Sequence, residues 1–239
     1  MTHDKPITPN LLYEMLLNHF GFQDWWPFDK LYHKKNGSDP RFEIIVGAIL
    51  TQNTAWSNVE KALSNLKSKN VLDIKKVANE NIKSLQIMVK PSGFFIKKAK
   101  RIKNIASYLH NNYNDDLDWF FNRDLKDIRK ELLSINGIGP ETADSILLYA
   151  GNKPIFVVDA YTIRICKRIP LISNMEYSKI QQYFEEELTK EYSNKNINQI
   201  YNDLHALIVK IAKNHCKIKP ICNECPLIKH CSYRKNLFK

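Results

Sequence analysis

Two glycines bracketing one aliphatic residue, in Ile135-Asn136-Gly137-Ile138-Gly139-Pro140, set the tightest local constraint in this chain. Glycine accepts a positive φ and lets another chain approach closely, and apolar stretches flank the turn on both sides. The pattern predicts a helix-hairpin-helix at about residues 128–150. Thr142 and the run Ala143–Ala150 open its second helix, whose first N–H groups have no partner within the helix. Such donors, with no side chain in the way, suit a phosphate. The apolar run Ile155-Phe156-Val157-Val158 follows, and directly after it stands a single acid, Asp159. A carboxylate held behind a buried segment, close to a phosphate clamp, reads as a catalytic acid at a nucleic-acid site. The same residues also suit a plain tight turn and an N-cap for a helix beginning near Ala160.

The C-terminal region tips that balance. Five cysteines occur, and four of them, Cys216, Cys222, Cys225 and Cys231, follow the pattern C-x5-C-x2-C-x5-C. A disulfide framework does not fit a chain with only Cys166 elsewhere and no secretory segment. Four thiolates in one short loop point to a metal centre. Zinc is the alternative, but it favours two C-x2-C knuckles and only one such pair is present. A [4Fe-4S] cluster is wider and can be wrapped by one loop with unequal gaps. Lys217, Lys219 and Lys229 make the loop basic, so a structural cluster would fix lysines where they face phosphates. Cys166, in the helical run Thr162–Arg168, reads as a buried apolar residue.

The net charge of +11, from 36 Lys+Arg against 25 Asp+Glu, favours an acidic partner. A hydrophobic content of 44% supports a packed core, and no apolar run approaches a membrane span. Reduced thiols without a signal segment place the chain in the cytoplasm, associated with the nucleoid, or in the nucleus of a eukaryote. Helical spacing predicts an all-α chain. Leu11–Phe20 follows the start signal Thr8-Pro9, and Phe42–Leu66 forms two helices broken near Thr51–Thr54. Leu72–Met88, Ile96–Tyr113, Leu125–Leu133, Tyr177–Tyr192 and Ile197–Asn214 supply the rest. Val157-Val158 has strand character but no evident partner strand.

Taken together, these features resemble the endonuclease III superfamily of DNA glycosylases, also called the helix-hairpin-helix-GPD superfamily, over most of the chain. Phe42–Thr54 looks like its first barrel helix and following loop. Pro91-Ser92-Gly93-Phe94-Phe95 with Lys98-Ala99-Lys100-Arg101-Ile102 looks like its G-[FY]-x3-KA segment, and His205 with the helix running into Cys216 looks like the entry to its cluster. The resemblance implies two helical lobes. One is a six-helix barrel at residues 37–152. The other joins residues 1–36 to 153–239 and holds the cluster loop at 216–231. It further implies a monomer acting on double-stranded DNA that holds a damaged base, with the nucleotide rotated out of the duplex.

Departures from the family pattern narrow the expectation. Bifunctional members place a Schiff-base lysine where this chain has Glu141, and without that amine β-elimination loses its nucleophile. Adenine-excising members carry a catalytic glutamate where this chain has Gly47. The first cysteine gap is five residues against six in the common pattern. Asp24-Trp25-Trp26-Pro27, with Leu50-Thr51-Gln52-Asn53-Thr54-Ala55-Trp56, resembles the bacterial 3-methyladenine DNA glycosylases of this fold. In that group a tryptophan of the Trp-Trp-Pro corner and an aromatic beyond the Thr-Gln-Asn-Thr loop sandwich the base. An alkylated purine is cationic and electron-poor, so it stacks well on indole, and its weakened glycosidic bond needs no strong general acid. Plain core packing is the other reading of these tryptophans.

The expected chemistry is therefore hydrolytic. Asp159 would stabilise the oxocarbenium sugar and orient water. Gly137, Gly139, Glu141 and Thr142 would hold a phosphate, with a monovalent cation on the hairpin carbonyls. Trp25 or Trp26 and Trp56 would stack on the base, while Gln52 or Asn53 would fill the space it leaves. Two rivals stand beside this reading. One is a bifunctional pyrimidine glycosylase/AP lyase using another lysine such as Lys153, and the other is a non-catalytic damage-binding module.

Overall fold

The structure, a computed structural model, describes residues 7–193 and 195–237, and the regular elements among them are all helical. Two compact units result, one comprising Trp26–Lys153 and the other the described residues of Met1–Trp25 and Pro154–Lys239. Residues 1–6, 194 and 238–239 of the expected lobes lie outside the described residues. The first division falls at Trp25/Trp26, not after residue 36 as expected. Its cause is Glu43, only 2% exposed. This carboxylate accepts from the Asp29 N–H at 2.9 Å and meets His33 Nε2 at 2.8 Å and Lys67 Nζ at 3.1 Å. Burial opposes the charge on Glu43, but His33, the Asp29 amide and Lys67 together hold its carboxyl below the usual range. The segment carrying Asp29 and helix α2 (Lys30–Asn36) is thereby fastened to the continuous unit.

That unit is built around α3 (Pro40–Leu50), which Asp39 caps and Pro40 starts. Every residue from Phe42 to Leu50 is buried, and Glu43 is the one charged side chain among them. The helix stops at Leu50, and α4 (Trp56–Ser68) begins beyond a short turn. Lys98, 1% exposed, donates to the Leu50 carbonyl at 2.9 Å and the Ser92 carbonyl at 2.6 Å, satisfying a helix end that would otherwise be left bare. The expected helix over Leu72–Met88 is two helices, α5 (Ile74–Asn79) and α6 (Ile82–Met88), because Asp73 and Asn81 each cap a separate start. Next come α7 (Phe95–Tyr113), α8 (Leu117–Phe121) and α9 (Leu125–Ser134). After the glycine turn, α10 (Pro140–Ser145) passes into a π-helical turn, Ile146–Ala150.

The other unit packs α1 (Pro9–Phe20), α11 (Ala160–Arg168) and α12 (Tyr177–Glu191) against α13 (Ile197–Asn214), with α14 (Ser232–Leu237) last. Ile200, Leu204, Leu207, Ile208 and Ile211 put one face of α13 in the core. The strand-like run before Asp159 is extended but pairs with side chains. Phe156 N–H donates to Glu185 Oε1 at 2.8 Å, and Gln181 Nε2 donates to Phe156 O at 2.7 Å, so α12 stands in for a neighbouring strand. No described helix is long and apolar enough to cross a membrane.

Glu131 on α9 accepts from Arg123, from Tyr113 Oη at 2.5 Å and from Tyr108 Oη at 2.9 Å. The Arg123 contact, acting against burial, holds its carboxyl down to about 2. A depressed carboxylate stabilises the fold above its unfolded pKa, so this contribution fades as pH falls from roughly 4 towards the folded value. Glu131→Gln should cost about 1–2 kcal/mol at pH 7 after solvent screening, and thermal unfolding of variant and wild type should converge as pH approaches 2. At Gly137, φ is +95° and an added Cβ would overlap the Arg101 side chain. Gly137→Ala should therefore cost about 2–4 kcal/mol. Combining it with Arg101→Ala should restore only the steric share, as read from denaturant unfolding.

Candidate functional site

Asp159 is the N-cap of α11 and is 8% exposed. Its Oδ1 accepts from the Thr162 N–H at 2.7 Å and from Thr162 Oγ1 at 2.9 Å. Its Oδ2 lies 3.7 Å from Nε2 of His205, a buried side chain on α13. Burial works against the charge, yet His205 and Thr162 outweigh it, and the carboxyl sits below the ordinary aspartate range. The N-cap reading holds. One oxygen closes the helix, while the other belongs to a fixed anion of the kind that stabilises developing positive charge.

At the hairpin, Gly139 caps α10 without a side chain, Pro140 takes the first helical position and Glu141 is exposed. Thr142 is 6% exposed, and its hydroxyl accepts from Gln52 Nε2 at 2.9 Å, so its backbone rather than its side chain is the part suited to a phosphate. Gln52 Nε2 also donates to Gly137 O at 3.3 Å, and Gln52 Oε1 accepts from Arg101 Nη1. Gln52 is thus bound to the hairpin, and filling a vacated base position would require releasing those bonds. Asn53 is exposed with φ +53°. Arg101 stood in the sequence only as part of a basic helical segment; its part here depends on a turn far away along the chain.

The structure separates the two neighbouring tryptophans, with Trp25 in the unit holding Asp159 and Trp26 in the other. Trp26 and Trp56 meet with ring centroids 5.4 Å apart and planes at 84°. Trp26 also touches Tyr149, at 5.2 Å and 57°. An ideal Cβ on Gly47 would stand 3.0 Å from Trp26 Nε1, so the bare α3 backbone at this point seats the indole. The rings form a corner, not two parallel plates. Tyr149 had been read only as part of an apolar helix, since nothing in its spacing marks the π turn.

Cys216, Cys222, Cys225 and Cys231 are free thiols, none of them fully buried. Burial raises the Cys225 thiol, and Cys216, Cys231 and Cys222 add to the rise, so the four sulfurs lie within electrostatic reach of one another. Among the described residues no three His, Cys, Asp or Glu side chains gather closely enough to hold one ion. A four-iron cube spreads its thiolates wider than a single tetrahedral ion does, and the all-thiolate donor set fits it. From α11, Arg164 Nε donates to Cys216 O at 2.7 Å and Arg168 Nη1 to Cys216 Sγ at 3.2 Å. Arg168 also donates to Lys217 O at 2.6 Å and Ile218 O at 3.0 Å. Cys166 is 1% exposed with its thiol pushed up to about 12 by burial, a core residue as expected.

The chain is similar to known proteins. Residues 46–190 match the model of the HhH-GPD superfamily of base excision DNA repair proteins. A Methanocaldococcus jannaschii protein assigned as a DNA repair glycosylase is 41% identical over 92% of this chain and 94% of its own length. Endonuclease III of Sulfolobus acidocaldarius is 29% identical over 80% of this chain and 82% of its own. Among solved structures, an H. pylori 3-methyladenine DNA glycosylase bound to 1,N6-ethenoadenine superposes with a TM-score of 0.72 at 26% identity, covering 87% of this chain and 98% of that one. The capped aspartate, the glycine hairpin and these likenesses converge: the chain belongs to the HhH-GPD superfamily and is a DNA glycosylase of base excision repair.

Proposed function

We propose that this glycosylase removes an alkylated purine such as 3-methyladenine by hydrolysis and is mainly monofunctional. The observation that carries the reading is the corner of Trp26 and Trp56 over Gly47. Indole faces attract a cationic purine, and the position that would hold an acidic side chain on α3 holds none. Asp159 stabilises the sugar as the weakened bond breaks and orients the attacking water. The backbone at Gly137, Gly139, Glu141 and Thr142 grips a phosphate of double-stranded DNA. Gln52 and Asn53, in the same unit as the corner, serve the vacated base position, with Gln52 entering only after it leaves Thr142. A monovalent cation would rest on the remaining hairpin carbonyls.

Lysines offer little to a lyase step. The hairpin position is Glu141. Lys153 Nζ donates to the Arg123 carbonyl at 3.1 Å. Lys98, whose ammonium burial pushes down to about 8, is 1% exposed and donates to two carbonyls. Cys216, Cys222, Cys225 and Cys231 would hold a [4Fe-4S] cluster, whose contribution is to fix the loop so that Lys217, Lys219 and Lys229 face phosphates. The enzyme acts as a monomer, in the cytoplasm or nucleus where its DNA lies.

A panel of lesion duplexes, scored separately for base release and strand cleavage, tests this. Asp159→Asn keeps a good N-cap and removes the charge, so release of 3-methyladenine should fall at least about 100-fold while the variant still unfolds cooperatively. Unchanged release would remove Asp159 from the chemistry. Borohydride should trap no covalent adduct on abasic-site DNA, and a robust adduct would favour the bifunctional alternative. Purified protein should be brown, with a broad visible absorption that Cys222→Ser abolishes; colourless protein with stoichiometric zinc would overturn the cluster.

A further inference from the structure

We propose that Tyr149 is the inner wall of the base pocket and sets the size of base the enzyme accepts. This rests on the reading that Trp26 and Trp56 receive the base. Three rings meet at Trp26, and they differ in exposure. Trp26 and Trp56 are partly open to solvent, whereas Tyr149 is 9% exposed and so lies behind them.

The backbone supplies an independent observation. Tyr149 sits in the π turn Ile146–Ala150, whose other members Ile146, Leu147, Leu148 and Ala150 are all buried apolar residues. A π turn inserts an extra residue into the helical repeat and re-aims the side chains on it, and such turns concentrate at functional positions. Here the re-aimed ring is the one that meets Trp26.

The corner is filled in the free protein. A base stacked between two rings needs about 7 Å between them, two contacts of roughly 3.5 Å each. Trp26 and Trp56, at 5.4 Å and 84°, leave no such slot. Trp26 must turn to admit a base, and turning it uncovers the Tyr149 ring at the back. The Gly47 backbone bounds the site on the α3 side, where Trp26 Nε1 already stands 3.0 Å from an ideal Cβ. A substituent on the inner edge of the base therefore meets Tyr149. With the N1/N6 edge, opposite the sugar, innermost, 3-methyladenine presents that edge bare because its methyl lies at N3, whereas the fused etheno ring of 1,N6-ethenoadenine extends it into the space the phenol occupies.

The test measures single-turnover release from duplexes holding 3-methyladenine or 1,N6-ethenoadenine, for wild type, Tyr149→Phe, Tyr149→Leu and Tyr149→Ala. Tyr149→Ala should raise the ethenoadenine to 3-methyladenine rate ratio about tenfold or more, in line with pocket-size discrimination. Tyr149→Leu, which preserves burial if the alanine variant fails to fold, should move the ratio the same way, and Tyr149→Phe should keep the wild-type ratio. A ratio unchanged in Tyr149→Ala or Tyr149→Leu would overturn the proposal. Release of neither base by wild type would count against alkylpurine excision rather than against Tyr149. Quenching of tryptophan fluorescence by the two free bases then decides: the ratio of their dissociation constants should shift in the same variants. An unshifted ratio, or no quenching by either base, would overturn the assignment of Tyr149.

Discussion

A carboxylate with 8% of its surface exposed stays charged only if its surroundings replace the water it has lost. At Asp159 that replacement comes from the start of a helix and from one imidazole. Thr162 supplies two donors to a single oxygen, and His205 faces the other. This arrangement governs much of its unit. The capped helix begins where the acid sits, and one and two turns further on the same helix presents Arg164 and Arg168 to the cysteine loop. Acid and cysteines are set by one rigid rod, so a shift of that rod would move both.

The other unit solves a different problem. Its central helix is buried from Phe42 to Leu50, with Glu43 the one charged side chain there, so its end must be satisfied by something from outside. Lys98 does this at Leu50, fixing where the chain turns towards Gln52. Gln52 then joins Gly137, Thr142 and Arg101 in one hydrogen-bonded knot. The positive φ at Gly137 and the Arg101 side chain packed against it both exclude a Cβ there.

Much of this was legible in the residues. Proline and aspartate caps marked α1, α3 and α9, and the break between Leu50 and Trp56 was plain from the Thr51–Thr54 signals. The split between α5 and α6 was also written there, in Asp73 and Asn81, but a continuous apolar period masked it. Helix α2 escaped because it is mostly lysine and polar side chains, with only His33 buried, and its anchor Glu43 is supplied by another helix. Asp159, the glycines and the cysteines are adjacent in sequence to the features that explain them. Arg101 against Gln52, and Tyr149 against Trp26, are long-range pairs, and local spacing carries no signal for either.

The missing side chain at position 47 has a wider meaning. The indole of Trp26 takes the volume into which any larger residue on α3 would grow. A glutamate side chain placed there would crowd the indole as it is now seated. Under the proposed reading, a proton-donating side chain and the seated indole compete for one volume, and the bare backbone at Gly47 would suit the scaffold to glycosidic bonds already labile.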